Sequence, residues 1–300
     1  MHKEMLSRAT ISDAKNSQNR IMNNYFEGRK VVIATMHGKE KVIGPLLAKH
    51  FGAETFVPSG FDTDKFGTFT REIKRFGDQK QAARKKAEAA LKHSGFDIAI
   101  ASEGSFYPHP SMPFISSNAE LILLVDRRNG IEVEGFSSSF ETNHYQDEAS
   151  TLAEVISFAK KVGFPEHGVI LRKNKNSRKI EKEIRNWEEL ESKAKEMLGG
   201  LFVRSLFLET DMRAHRNPTR MKVIEDAVKD LIKNIESTCP ACSMIGFCKT
   251  SALRALSCEH CARPTDVLGV FHYTCQKCGY SEEKREKDFA KQEECGYCNP

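Results

Sequence analysis

The chain has 300 residues, of which 39% are hydrophobic and 29% are charged, and its formal net charge is +5 at pH 7. This length suits two domains, or one α/β domain with an appended module, and the composition is typical of a soluble globular protein. No run of apolar residues approaches the roughly 18 that a membrane-spanning helix needs. The first 28 residues lack the apolar core of a secretory signal. We therefore expect a cytoplasmic protein with no membrane partner.

Strands and helices alternate in the first two thirds of the chain. A β-branched run at 29–35 predicts a strand, and a helix follows to residue 52 with an early interruption at Pro45. A second helix is predicted at 79–95 and a strand at 97–102, followed by a Pro-rich loop at 103–113. This alternation is typical of an α/β fold.

Two local signals refine this fold. Asn129-Gly130 lies between two apolar runs and is a strong hairpin signal, so at least one strand pair is antiparallel. Asn217 followed by Pro218 predicts the N-cap and first residue of a long helix. We predict a three-layer α/β domain with a mixed central sheet at 29–236, after a flexible N-terminal arm at 1–28. A small C-terminal zinc-ribbon module at 237–300 completes the chain.

The cysteines define that C-terminal module. All nine lie between Cys239 and Cys298, and eight of them form four C-x-x-C pairs. In a chain without a secretory signal this spacing indicates zinc rather than disulfides. Two Zn²⁺ ions with eight thiolates contribute a net charge of about −4, which nearly cancels the formal positive charge. The formal positive charge of the chain therefore does not by itself predict nucleic-acid binding.

The spacing of the pairs predicts two structural zinc sites. The 13 residues between Cys261 and Cys275 suit a short hairpin, as in a zinc ribbon. We expect nested sites, and a sequential pairing of neighbouring C-x-x-C pairs is the alternative. The inner zinc is assigned to Cys258, Cys261, Cys275 and Cys278, and the outer zinc to Cys239, Cys242, Cys295 and Cys298. The unpaired Cys248 is expected to be a small apolar residue, and His260 and His272 are expected on the surface, although either histidine could replace a cysteine ligand.

Polar clusters follow three predicted strands, where α/β sheets bind ligands. The first includes Lys39 at a helix start, which favours an anion such as phosphate. The second includes Glu103, and the third is "ETDMRAHRNP" at 209–218. If 209–215 is extended, Glu209, Asp211, Arg213 and His215 share one face, and we predict that they line one pocket with Lys39 and Glu103. A structural salt-bridge network is the alternative explanation.

These clusters and one polar loop supply the candidate site residues. Glu103, Asp211, Arg213 and His215 are the candidate catalytic residues, and Glu103, Glu209 and Asp211 are the candidate Mg²⁺ ligands. The candidate substrate-binding residues are Thr35, His37, Lys39, Asp62, Asp64, Thr68, Thr70, Arg71, Ser105 and Asn217.

Two resemblances accompany these motifs. Thr35 and Lys39 fit a T-x-x-x-K pattern, and Ala83, Lys86 and Ala87 fit A-x-x-K-A, with Glu103 at a following strand end. This order resembles inosine/xanthosine triphosphatases and Maf-like nucleotide pyrophosphatases, although the Asn expected between Thr and Lys is absent. Over nearly all of residues 29–300, "ATMHGKE", "ASEGSF", "ETDMRAHRNPTRM" and "CGYCNP" resemble a bacterial domain family of unknown function.

The resemblance to nucleotide pyrophosphatases implies a reaction, whereas the resemblance to the domain family of unknown function implies none. Together with the polar clusters, the resemblance to nucleotide pyrophosphatases predicts Mg²⁺-dependent hydrolysis of a phosphoanhydride in a nucleotide or related phosphate compound. The alternative is a non-catalytic nucleic-acid-binding or adaptor protein that uses the zinc ribbon, whose aromatic and basic residues can contact RNA or DNA.

Overall fold

A computed structural model describes residues 25–66, 77–109, 112–177, 179–200 and 203–300. The candidate residues Thr68, Thr70 and Arg71 lie outside these ranges. Within the described ranges, no helix combines the length and the apolar character needed to cross a bilayer. The described residues form three separate sheets.

The first sheet is the mixed central sheet that the sequence predicts. Its order is β2-β1-β3-β4-β5, with β1 parallel to β2 and β3, and with β4 and β5 antiparallel to their neighbours. The β4–β5 hairpin turns at Asn129-Gly130, and Gly130 has the positive φ that this turn requires. The strands are β1 (Lys30–Ala34), β2 (Glu54–Phe56), β3 (Ile98–His109), β4 (Met112–Asp126) and β5 (Ile131–Ser139).

Helices cover both faces of this sheet, which confirms the three-layer α/β prediction. Helices α1 (Glu40–Phe51) and α5 (Pro218–Glu236) pack on the face that carries Ile98 and Ile100. Helix α2 (Gln79–Ser94) packs on the opposite face through a row of alanines. Alternating side chains along each strand supply both cores, because successive residues of a strand point to opposite faces.

The later strands form a sheet of their own rather than extending the central one. The second sheet has the order β6-β9-β7-β8, and α3 and α4 build a separate apolar core against it. Its elements are β6 (Gln146–Ala149), α3 (Leu152–Val162), β7 (Val169–Arg172), β8 (Ile180–Glu181), α4 (Trp187–Leu198) and β9 (Leu206–Thr210).

The third sheet belongs to the cysteine-rich region and contacts the edge of the first. Its strands are antiparallel in chain order, and they are β10 (Cys248–Ser257), β11 (Pro264–Thr274) and β12 (Ser281–Arg285). The side chain of Gln276 accepts a hydrogen bond from the backbone N–H of Glu132 on β5 at 2.9 Å and donates one to its C=O at 2.7 Å. Ile245 enters the core beneath α5, and Gly246 lies so close to Val133 that a Cβ would approach within 2.7 Å of its Cγ2. The start of the cysteine-rich region is therefore packed onto the α/β fold.

Two sequence predictions of local structure are wrong. Helix α1 continues through Pro45, which lies inside it. The Pro-rich loop predicted at 103–113 is largely strand, because β3 pairs continuously with β4 from Ile98 to Pro108. Glu103 and Ser105 consequently lie inside β3 and not at its end.

Candidate functional site

The eight paired cysteines form two groups of four. In each group the four Sγ atoms lie within 4.8 Å of one another, and none of the cysteines is in a disulfide. The first tetrad is Cys239, Cys242, Cys275 and Cys278, and the second tetrad is Cys258, Cys261, Cys295 and Cys298. Within the described ranges, no other three His, Cys, Asp or Glu side chains lie close enough to share an ion. Each tetrad could therefore hold one metal ion.

The sulfur spacing fits a tetrahedral thiolate site. Four thiolates at about 2.3 Å from a Zn²⁺ ion lie about 3.8 Å from one another. The measured Sγ–Sγ distances are 3.7 Å (Cys239–Cys278), 3.6 Å (Cys242–Cys275), 3.9 Å (Cys258–Cys298) and 3.7 Å (Cys261–Cys295). All four positions of each site are filled by protein sulfur, so both sites suit a structural ion with no open position for a substrate.

The strand topology explains how the tetrads form. Strand β10 runs from the first C-x-x-C pair to the second, β11 returns to the third, and β12 leads away towards the fourth. Because consecutive strands are antiparallel, odd-numbered pairs meet at one end of the sheet and even-numbered pairs at the other. A ten-residue strand spans on the order of 30 Å, so the two metal positions are well separated.

The predicted pairing is therefore wrong. Both the nested assignment and the sequential alternative fail, because the first pair joins the third and the second joins the fourth. The cause is the segment between Cys261 and Cys275, for which the spacing predicts a hairpin that folds back on itself. It forms the single strand β11 instead and carries its two flanking pairs to opposite ends of the sheet.

The remaining sulfur and imidazole groups near this region stay outside both tetrads. Cys248 directs its Sγ to the carbonyl oxygen of Asn234 at 3.6 Å, and burial raises the pKa of its thiol to about 11. Neither His260 nor His272 joins a tetrad. Cys248 and both histidines therefore lie outside the two groups that could hold a metal ion.

A second cluster of functional groups surrounds Ser102 in the first sheet. Lys39 precedes α1, directly after the turn that follows β1, and no side chain caps the N-terminus of this helix. The Lys39 Nζ donates a hydrogen bond to Ser102 Oγ at 2.7 Å, although only 6% of Lys39 and 2% of Ser102 are exposed. Ser102 belongs to the face of β3 that α1 covers, so a residue far away in the sequence becomes the partner of Lys39.

Two buried ion pairs flank Ser102. On the α2 side, Lys86 Nζ lies 2.7 Å from Glu103 Oε1 and donates to the carbonyl oxygen of Ser102 at 3.1 Å. On the α5 side, Arg220 Nε donates to Glu120 Oε1 at 2.7 Å, and both side chains are at most 1% exposed. We call Lys39, Lys86, Ser102, Glu103, Glu120 and Arg220 the Ser102 cluster.

Gly104 is required by the second of these pairs. A Cβ at position 104 would overlap both the Glu120 carboxylate and the Arg220 guanidinium. Both groups are buried, so neither could move into solvent to make room. The absence of a side chain at position 104 therefore leaves the space beside β3 that the Glu120–Arg220 ion pair occupies.

The cluster places Lys39 in an unusual electrostatic environment. Burial and the nearby positive charges of Arg220 and Lys86 lower the pKa of Lys39 to about 7, while Glu120 and Glu103 oppose this shift. Both acids already form ion pairs with the other two cations. When Lys39 is protonated, the Ser102 cluster contains three cations and two acids, and this excess positive charge favours either an anion next to Ser102 or loss of the Lys39 proton.

The charged stretch after β9 forms a neighbouring but different cluster. Asp211 is fully buried, and the Arg213 guanidinium donates to both of its carboxylate oxygens, at 3.0 Å and 2.6 Å. Arg213 also contacts Glu183, which has a left-handed φ of 72°. The imidazole rings of His215 and His37 stack with centroids 5.3 Å apart. Burial, Arg213 and His37 lower the pKa of His215, although Asp211 and Glu183 oppose this.

The structure brings together some of the predicted site residues but not all. His37 and His215 meet, which joins the turn after β1 to the turn after β9. Glu209, however, lies inside β9 and pairs with Arg172 of β7 at 2.8 Å. The 3₁₀ helix Ala214–Arg216 ends any extended segment, so the prediction that residues 209–215 share one face is wrong.

The predicted Mg²⁺ site is also wrong. Glu103, Glu209 and Asp211 do not come together as one group of ligands. Each carboxylate is bound by its own cation, and the cations are Lys86, Arg172 and Arg213 respectively. These three acids do not fit a shared divalent ion.

The other candidate residues have local structural partners. Thr35 Oγ1 accepts a hydrogen bond from the backbone N–H of His37 at 3.3 Å. Ser105 Oγ donates to Gln79 Oε1 at 3.3 Å, on the α2 side of β3. Asn217 caps α5 by accepting from the Arg220 N–H at 2.9 Å, as predicted. Asp62 is exposed, and Asp64 begins the 3₁₀ helix Asp64–Phe66.

Asp211 now has a structural explanation that can be tested. We expect Asp211→Asn to lower the free energy of unfolding by about 1.5–3 kcal/mol, because it weakens buried charge-assisted hydrogen bonds to Arg213. Glu183→Gln is the matched control, since Glu183 contacts the same guanidinium but its side chain is 48% exposed. Urea denaturation of both variants measures the difference. Equal stabilities of Asp211→Asn and the parent protein would contradict the structural role.

Sequence reasoning missed four members of the Ser102 cluster as site residues. Lys86 appeared only within the A-x-x-K-A pattern, and Ser102 only as the end of a strand. The sequence gives only a weak indication for Glu120 and Arg220, because each is simply a charged residue within or beside an apolar run. Their importance depends on contacts across 100 residues of sequence.

Comparisons with known proteins add a family but no activity. The sequence model of a family described as a domain of unknown function (DUF6671) matches residues 86–300. No curated protein matches the chain significantly. The crystal structure of protein VC0702 from Vibrio cholerae matches with 13% identity, covering 68% of this chain and 93% of that chain. The TM-score of that match is 0.32, and none of these comparisons confirms the resemblance to nucleotide pyrophosphatases.

Proposed function

Since the chain belongs to the DUF6671 family, whose description gives no activity, we propose a function from the site itself. The α/β region hydrolyses a phosphoanhydride in a nucleotide or a related phosphate compound. The cysteine-rich region holds two structural Zn²⁺ ions.

The excess of basic groups around Ser102 is the main support for this activity of the α/β region. Lys39 hydrogen bonds to a neutral hydroxyl, while the two nearby acids are engaged by Lys86 and Arg220. A phosphate group would supply the missing negative charge, and preorganised cations stabilise the charge that develops during phosphoryl transfer. The acids predicted to bind Mg²⁺ do not form a site, so no step of this reaction uses a protein-bound Mg²⁺.

A nucleotide panel tests this proposal. We expect at least one nucleoside triphosphate, diphosphate or dinucleotide to release phosphate or pyrophosphate when incubated with the purified protein. Parallel reactions with Mg²⁺ and with EDTA show whether a metal carried by the substrate is needed. Lys39→Met should reduce turnover by at least about 10²-fold, since it removes a group that stabilises phosphate charge.

Lys49→Met is the matched control, because Lys49 is exposed at the opposite end of the same helix. It should leave turnover unchanged. Absence of turnover across the panel would contradict the proposed activity.

The alternative function, nucleic-acid binding by the zinc ribbon, has weaker support. Residues 237–300 contain eight basic and eight acidic side chains, and bound zinc thiolates would make the region negative. The aromatic rings here already face cations of the same region, as in Lys249–Phe271 at 4.1 Å and Arg263–Tyr297 at 4.4 Å. Salt-dependent binding of RNA or DNA without turnover would nevertheless favour this alternative.

A further inference from the structure

We propose that Ser102 is a nucleophile and that Lys39 is the base that activates it. The inference rests on the proposed function and deepens it, because it names the reacting atoms. A serine hydroxyl is a weak nucleophile unless a neighbouring base accepts its proton, and lysine can take this role. The 2.7 Å contact between Lys39 Nζ and Ser102 Oγ has the length that such a proton transfer requires.

The surroundings of Lys39 favour its neutral form, which is the form a base needs. The charged groups with the largest effect on it come from four elements: Glu103 from β3, Glu120 from β4, Lys86 from α2 and Arg220 from α5. The acids are held in ion pairs by the cations, and the cations disfavour a third positive charge. Burial acts in the same direction and makes the largest contribution to lowering the pKa of Lys39 to about 7.

Ser102 itself is held in a fixed position. Its backbone pairs within the sheet, where Ser102 lies opposite Ile122 of β4. Its carbonyl oxygen also accepts the hydrogen bond from Lys86. Only 2% of the residue is exposed, so its hydroxyl is enclosed by neighbouring groups. A fixed hydroxyl beside an enclosed amine is the arrangement that nucleophilic catalysis uses.

The chemical step balances with these two residues. The Ser102 hydroxyl transfers its proton to Lys39 Nζ while Oγ forms a bond to phosphorus, and the bond from phosphorus to the leaving phosphate oxygen breaks. The new ammonium charge lies beside the phosphoryl group as that group gains negative charge. In the second step water attacks phosphorus, Ser102 Oγ leaves and recovers its proton from Lys39, and the water releases one proton to solvent.

Diisopropyl fluorophosphate tests the pair without requiring a known substrate. Ser102 Oγ should form a bond to its phosphorus, fluoride should leave, and the proton should pass to Lys39. Peptide mapping by mass spectrometry of the full-length protein is expected to find the adduct on Ser102. The labelling rate should increase as pH rises through about 7, because Lys39 must be deprotonated to act as base.

Substitutions separate catalysis from structure. Ser102→Ala should abolish labelling, and Lys39→Met should slow it by about 10²- to 10⁴-fold, as expected for loss of a general base. Ser117→Ala is the matched control, since Ser117 is a buried serine on β4 whose hydroxyl donates to the Tyr107 carbonyl. Circular dichroism confirms folding of each variant, and Ser102→Thr provides a second variant that keeps a hydroxyl at this position.

The outcomes distinguish this inference from the proposed function. Labelling at another residue, or no labelling of the folded protein from pH 6 to 9, would overturn the nucleophile assignment. Nucleotide turnover that persists in folded Ser102→Ala would overturn the assignment while leaving the proposed activity intact. Labelling of Ser102 without turnover of any nucleotide would instead support the pair and contradict the phosphoanhydride substrate.

Discussion

Replacing Cys242 by serine should release one zinc ion per chain and leave the other bound. The loss is expected because Cys242 belongs to the first tetrad only, and a site with three thiolates no longer completes the tetrahedral set. Cys278→Ser should release the same ion, although 36 positions separate the two residues. Elemental analysis should give two zinc ions for the parent protein and one for each variant.

The matched controls lie in the second tetrad. Cys261→Ser and Cys298→Ser should each release the other ion, so a variant with Cys242 and Cys261 both replaced should bind none. The nested arrangement instead predicts that Cys242→Ser and Cys298→Ser release the same ion, since it places both residues at one ion. A common ion for Cys242 and Cys298 would contradict the interleaved topology.

The two ions should differ in their effect on the α/β fold. The first tetrad lies next to Ile245, which is buried in the core beneath α5. It also includes Cys275, whose neighbour Gln276 hydrogen bonds to the backbone of β5. Structural zinc contributes on the order of 10 kcal/mol to small metal-binding folds. Loss of the first ion should therefore increase hydrogen exchange in β5, whereas loss of the second should increase exchange only in the distal part of the third sheet.

Arg220→Met should lower the free energy of unfolding by about 3–5 kcal/mol. This substitution leaves the Glu120 carboxylate fully buried without its cation, and a broken buried ion pair of this kind costs about that amount. It also removes the donor that reaches the Met212 carbonyl at 2.5 Å. Urea denaturation, followed by circular dichroism, measures the change.

Two control variants test the cause. Arg220→Met combined with Glu120→Gln should recover much of the lost stability, because no unpaired charge then remains buried. Lys195→Met breaks the Lys195–Glu191 ion pair in solvent and should have little effect, since exposed pairs contribute little. An Arg220→Met variant as stable as the Lys195→Met variant would contradict the account of the buried pair.

Local sequence signals predicted the secondary structure where the signal was strong. The Asn129-Gly130 hairpin and the Asn217-Pro218 helix start are confirmed, because turn and capping preferences depend on neighbouring residues. The strand status of Glu103 was missed, because it depends on continuous pairing with β4 rather than on the proline content of the segment.

The candidate site was predictable only in part. Lys39 and Glu103 were selected from polar residues near predicted strand ends, and both are members of the Ser102 cluster. Glu209 was selected on the same grounds, but β9 belongs to a second sheet, where Arg172 binds it. Sequence period can place residues on one face of a strand, but it does not reveal which sheet contains that strand.

The sequence by itself determined that eight cysteines form two metal-binding groups, that the fold is α/β with a mixed sheet, and that charged groups gather after β1 and β9. These features depend on residue type and short-range spacing, and not on which distant residues come into contact. Only the tertiary structure decided which cysteine pairs share an ion and which hydroxyl meets Lys39. An antiparallel sheet brings alternate C-x-x-C pairs to the same end, and the pairing of β1 with β3 brings Ser102 beside Lys39. Both outcomes depend on strand direction and partner choice, which are set by packing between residues distant in sequence.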